Sequence, residues 1–69
     1  MKYRFSVWLD DRAPRWFPTF EAAERYARRA VAASASDTFA IRADISELFH
    51  TVATVRLDGA DRVWTDMAA

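Results

Sequence analysis

The 69-residue chain has no cysteine, one glycine, two prolines and one histidine. Without cysteine there is neither a disulfide framework nor a thiolate zinc site. A single histidine excludes a histidine-rich metal centre, and a single glycine excludes a glycine-rich phosphate loop. Net charge is absent too, since ten Lys and Arg offset ten Asp and Glu. No apolar run approaches the roughly 20 residues that span a bilayer, so no membrane partner is expected. The opening Met1-Lys2-Tyr3-Arg4-Phe5 leads into alternation, unlike a secretory leader. A cytoplasmic location fits both absences.

What is present is apolar and aromatic. Hydrophobic residues make up 52% of the chain and aromatic residues 14%, which is too much for disorder. The length allows one domain, residues 1–69, and no second core. Three Trp, five Phe and two Tyr are expected to supply large buried areas. A core this small leaves a thin margin, so a monomer or a homodimer is expected.

Residues 2–9 alternate. Tyr3, Phe5, Val7 and Leu9 fall on one face, with Lys2, Arg4 and Trp8 on the other, which predicts a strand. Residues 10–18 carry Pro14 and Pro18 and read as a loop. Thr19 suits a helix N-cap. Residues 20–34 then place Phe20, Ala23, Ala27, Ala30 and Val31 on one helical stripe, with Arg25, Arg28 and Arg29 opposite. No glycine closes this helix, whose end is expected near Ser34–Ser36.

Residues 38–43 alternate again as a strand. Asp44 and Glu47 have capping-box spacing, and Ile45, Leu48 and Phe49 have i, i+3, i+4 spacing. The pattern predicts one short helical turn, with a continued strand as its competitor. Residues 50–57 are β-branched and strand-like, and Asp58-Gly59 signals a hairpin to a last strand. A two-residue loop would set Arg56 opposite Asp61 and Trp64 on the face of Val55; a three-residue loop would exchange those partners. The expected architecture is α+β in the order β-α-β-β-β, an antiparallel-rich sheet with one main helix packed on one face.

The candidate chemistry is contact rather than catalysis. Arg25, Arg28 and Arg29 form either a solvated face, paired by Glu21 and Glu24 at i, i+4, or a binding face. Arg12, Arg15 and Trp16 combine arginine with an aromatic, a composition frequent at interface hot spots, but the favoured expectation is that Trp16 and Phe17 cap the small core. Lys2, Arg4, Trp8, Arg42 and Arg56 would share the sheet face away from the helix. The acids are expected mostly in loops and turns, leaving that face free to stack bases or meet an acidic partner. Alternatively it is an ordinary solvated face, or a dimer contact burying Trp8. His50 lacks an orienting acid and a nucleophile at any known spacing, and Asp10-Asp11 fits turn chemistry better than a cation loop. No catalytic residue, cofactor or metal is expected, so the chain reads as a non-enzymatic module.

Three segments carry a family resemblance: TFEAAERYARRA at 19–30, FAIRA at 39–43 and VATVRLDGADRVWTD at 52–66. Ala23-Glu24-Arg25-Tyr26-Ala27, the Asp58-Gly59 turn and Trp64-Thr65-Asp66 together resemble short phage and mobile-element anti-CRISPR proteins that inhibit type I crRNA-guided surveillance complexes. The resemblance implies a viral inhibitor working in the host bacterial cytoplasm by protein–protein interaction. Its basic side chains, here Arg25, Arg28 and Arg29, would contact the backbone subunits of a Cascade-like nucleoprotein complex and block target-DNA binding, with some nonspecific DNA contact. The chain departs from that pattern at Pro14, Arg15, Trp16 and Phe17, and in its lower basic excess. The residues by themselves leave open a small nucleic-acid-binding domain using Arg4, Trp8, Arg42 and Arg56, or a small structural homo-oligomer.

Overall fold

Alternation at the start of the chain becomes strand β1, Phe5–Leu9, in a computed structural model that describes residues 2–36, 40–59 and 62–68. Val7 and Leu9 are buried beneath the helix, Phe5 borders them, and Trp8 faces the other side. The loop expected over residues 10–18 is instead mostly strand β2, Arg12–Phe17, antiparallel to β1. Proline concealed it. β2 is a sheet edge with only β1 beside it, and an edge tolerates a missing N–H. The register also slips between Val7↔Arg15 and Leu9↔Arg12, so a bulge accommodates Ala13 and Pro14 opposite Trp8.

Helix α1 spans Phe20–Ala33. Thr19 caps it as expected: its Oγ1 accepts the Ala22 N–H at 3.1 Å. Ala23, Ala27, Ala30 and Val31 form the buried stripe. The C-terminus passes into a 3₁₀ turn, Ser34–Ser36. Buried Ser34 does the work that a glycine often does there. Its hydroxyl donates to the Val31 carbonyl at 2.7 Å and accepts the Ile41 N–H at 3.1 Å, tying the helix end to the returning chain.

Strand β3 is Ala43–Glu47. Here the competing strand reading holds and the helical turn does not. Ala43 and Ile45 are fully buried, and β3 is hydrogen-bonded on both sides, to β1 and to strand β4, His50–Leu57. One isolated helical turn could not match two ladders. The i, i+3, i+4 spacing of Ile45, Leu48 and Phe49 arises from a strand followed by a two-residue turn. Thr38 and Phe39 of the expected strand 38–43 lie outside the described residues.

Strand β5, Val63–Met67, pairs with β4. Arg56 stands opposite Trp64 and Leu57 opposite Val63. The Asp58 N–H donates to the Arg62 carbonyl at 2.6 Å, so three residues separate the closing pair. Gly59, at φ 87°, supplies the left-handed conformation this turn needs. The two-residue register is therefore not adopted; Trp64 shares the face of Arg56, and Asp61 lies outside the described residues.

The fold is thus α+β, with the β-α-β-β-β order supplemented by β2. The five antiparallel strands run β2-β1-β3-β4-β5. Val7, Leu9, Ala43, Ile45, Ala53 and Val55 meet the alanine stripe of α1. Among the described residues no aromatic lies in the buried core, contrary to the expectation that aromatics would fill it. Alanine brings the helix too close to the sheet for rings to fit between. Phe5, Phe17, Phe20 and Tyr26 instead border the core, with Phe5 and Phe20 edge to face at 6.0 Å. No helix among the described residues is long and apolar enough to cross a membrane.

Enlarging the helix–sheet contact tests this spacing. Ala27→Leu is expected to destabilise the protein by about 1–3 kcal/mol in urea unfolding, because overpacking must push the helix outward. A neutral result would mean that α1 already has room for a branched side chain.

Candidate functional site

Five side chains of opposite origin converge where α1 crosses the edge strand β2. Arg15 and Phe17 rise from β2 on the helix side, and Arg25, Tyr26 and Arg29 descend from α1. They line a shallow groove of about 320 Å³, with Ala22 at its base. The Arg15 Cζ lies 4.9 Å from the Tyr26 ring centroid and 5.9 Å from that of Phe17, and the two rings are 5.3 Å apart. The stacked guanidinium is held in place while its edge N–H groups stay available.

Arg12 extends this basic ridge. Its Nε and Nη2 donate to Asp11 at 2.9 and 3.0 Å. Hydrogen bonding to Asp11 first, and to Tyr26 second, holds the guanidinium above its ordinary pKa, so it stays charged. The same contact draws the Asp11 carboxyl below its usual range. Among the described residues, Arg15, Arg25 and Arg29 form no ion pair, and neither Glu21 nor Glu24 is bonded to a helix arginine.

Arg28 does not share this cluster. It leans to the other side of α1, where its Nη1 donates to Thr65 Oγ1 at 2.7 Å and its Nη2 to the Val63 carbonyl at 3.2 Å. It fastens the helix to β5. Trp16 is also elsewhere: its register partner is Ser6, and its ring meets Phe49 edge to face at 6.1 Å on the far side of the sheet. Of the six residues expected at a partner-binding face, Arg12, Arg15, Arg25 and Arg29 come together.

The sheet face away from α1 differs in charge from the expected basic surface. Arg4 is paired with Glu47, Arg56 with Asp66 at 2.7 Å, and Arg42 approaches Asp44 at 3.7 Å. Asp44 and Asp66 are strand residues of that same face, not loop residues as expected, so its arginines are matched by acids. Trp8 and Trp64 are exposed there, and Lys2 is exposed ahead of β1. His50 is exposed at the start of β4 opposite Glu47.

The sequence reading missed Phe17 and Tyr26 as groove walls, because β2 was hidden by Pro14 within it and Pro18 just after it. A strand beginning at Arg12 would have placed Arg15 and Phe17 on one face by alternation. It also missed Phe49, whose helical spacing with Ile45 masked a tight turn. No protein-family profile, curated protein or solved structure matches the chain.

The Asp11–Arg12 contact has a pH signature. A folded-state carboxyl drawn down stabilises the protein above its unfolded pKa and loses that contribution as pH falls through the folded value. An NMR titration is expected to place the Asp11 midpoint below 3.8. Arg12→Ala should return it toward that ordinary value, and an unmoved midpoint would detach Arg12 from the acid.

Proposed function

We propose that this protein is a non-enzymatic interaction module that docks an anionic surface of a partner protein into the groove between α1 and β2. The observation that carries this reading is the convergence of Arg15, Arg25 and Arg29 on Tyr26, without a carboxylate among the described residues to neutralise them. Arginine beside aromatic rings is the composition in which interface energy concentrates. Arg12 stands beside them already paired with Asp11, so the uncompensated charge of the groove is that of the three arginines. The resemblance to anti-CRISPR inhibitors names a partner class, the backbone subunits of a type I crRNA-guided complex in the bacterial cytoplasm.

A protein partner fits better than free nucleic acid. The chain has no net positive charge, whereas dedicated nucleic-acid binders are commonly basic. The outer-face arginines of the nucleic-acid alternative, Arg4, Arg42 and Arg56, each have an acidic neighbour.

The test mixes purified protein with a type I crRNA-guided complex and follows target-DNA binding, with complex-free DNA as control. Target binding is expected to fall with no shift of free DNA. The triple variant Arg15→Glu, Arg25→Glu, Arg29→Glu should weaken the effect by at least about tenfold, the order expected for losing a desolvated charge pair, while circular dichroism stays unchanged. Arg28 is left intact because it braces β5. Full inhibition by the triple variant would overturn the groove reading. A salt-sensitive shift of free DNA would transfer the function to nucleic-acid binding.

A further inference from the structure

The turn between β3 and β4 consists of Leu48 and Phe49, both at positive φ, 49° and 75°. Two such residues between paired strands are the signature of a type I′ hairpin turn, ordinarily filled by Asn-Gly. A Cβ in this conformation crowds the following carbonyl, and large apolar residues there are disfavoured. The surroundings hold the turn in place. The Leu48 N–H donates to the Arg4 carbonyl at 3.2 Å, and the Arg4 side chain pairs with Glu47 immediately before the turn. Strain maintained in this way gives Phe49 a position: 78% exposed, edge-on to Trp16.

Beside that ring lies a depression of about 320 Å³, walled by Trp8 and Phe49 and floored by Asp44, Ser46 and Thr51. The Trp8 indole is anchored by its Nε1–H, which donates to Ser6 Oγ at 2.9 Å. Asp44 is the one charged residue of this lining. Its Oδ1 accepts the Thr54 hydroxyl at 3.2 Å and lies 3.7 Å from the exposed Arg42 Nε. An exposed pair at that distance is worth little and is readily exchanged.

We propose that this depression receives an arginine or lysine side chain from a partner polypeptide. The Trp8 and Phe49 rings offer their negative faces to the cation. The Asp44 carboxylate supplies the opposing charge, and the Ser46 and Thr51 hydroxyls accept remaining N–H groups. Charge decides against the alternatives: an anion would meet Asp44, and an apolar partner would strip water from a carboxylate whose contacts are the Thr54 hydroxyl and the more distant Arg42, a desolvation that it could not repay. The site lies across the sheet from the arginine groove and shares no residue with it, so either can fail alone.

The probes are the peptides Gly-Ser-Arg-Ser-Gly, Gly-Ser-Lys-Ser-Gly, a citrulline analogue and a glutamate analogue. The readout is the Trp8 indole N–H resonance. The arginine and lysine peptides are expected to shift it saturably, citrulline about tenfold more weakly, in line with the loss of a cation–ring and carboxylate contact, and glutamate not at all. Asp44→Asn should weaken arginine-peptide binding by about tenfold. Replacing Leu48→Asn with Phe49→Gly should abolish most binding yet raise the melting temperature by about 4–8 °C, as a relieved turn of this size would. Equal binding of citrulline and arginine, an unchanged Asp44→Asn affinity, or a lowered melting temperature in the turn variant would overturn the proposal. A Trp8 shift that follows protein concentration without peptide would also do so, assigning the face to a second copy.

Discussion

The close approach of an alanine-striped helix to a five-stranded sheet governs the rest of this molecule. Ala23 and Ala27 have no exposed surface, and the largest fully buried side chains are only Ile45, Val7, Val31 and Val55. Alanine suits the contact because it adds no side-chain entropy cost and keeps the helix near the strands. The consequence is geometric: large rings do not fit in the layer. Most of the described aromatic residues are displaced to its borders and to the uncovered sheet face. In a chain this short, the interaction surfaces and the packing solution therefore share one cause.

Charge follows the same division. Zero net charge conceals two unlike surfaces. On the helix side, arginines from β2 and α1 meet over Tyr26 and Phe17, and the acids of the helix do not engage them. On the other side, strand acids stand beside arginines, Asp66 with Arg56 of β4 and Asp44 with Arg42 just ahead of β3. The difference comes from register. Antiparallel β4 and β5 place Thr54 opposite Asp66 and Arg56 opposite Trp64, so Asp66 and Arg56 become diagonal neighbours. The helix offers no such enforced pairing. Its i, i+4 acids compete with water and with the aromatic walls of the groove for the same guanidinium groups.

Much of this organisation was legible in the residues, and the failures share a character. Periodicity located α1, β4 and the core face of β1, because burial on one face leaves a regular trace. Thr19 announced the helix start, whereas no residue type marked its end, which falls at Ala33 ahead of the Ser34–Ser36 turn. β2 was illegible because Pro14 speaks against a strand only when both edges must be paired, and edge position is a property of the whole sheet. Asp44–Glu47 imitated a helix start because capping residues and alternating strand residues can coincide over four positions. Arg28 was grouped with Arg25 and Arg29 by helical spacing alone. The nearness of β5 on one side and β2 on the other, which divides them, arises only from tertiary packing.

The Leu48-Phe49 turn shows where local preference and the finished structure disagree most. By contrast, residues suited to their places stand at the helix start, Thr19, at the helix end, Ser34, and in the last hairpin, Gly59. A protein with a thin core has little stability to forgo, and replacing both turn residues would relieve backbone crowding without disturbing any fully buried side chain. Retaining two large apolar residues at positive φ, braced by Arg4, makes sense if the exposed ring has work to do outside the fold. The outer face is then a built surface rather than the unused reverse of the sheet. The Trp16 ring braces Phe49, and the hydrogen-bonded Trp8 and the acid at the foot of the depression line the same hollow as that ring.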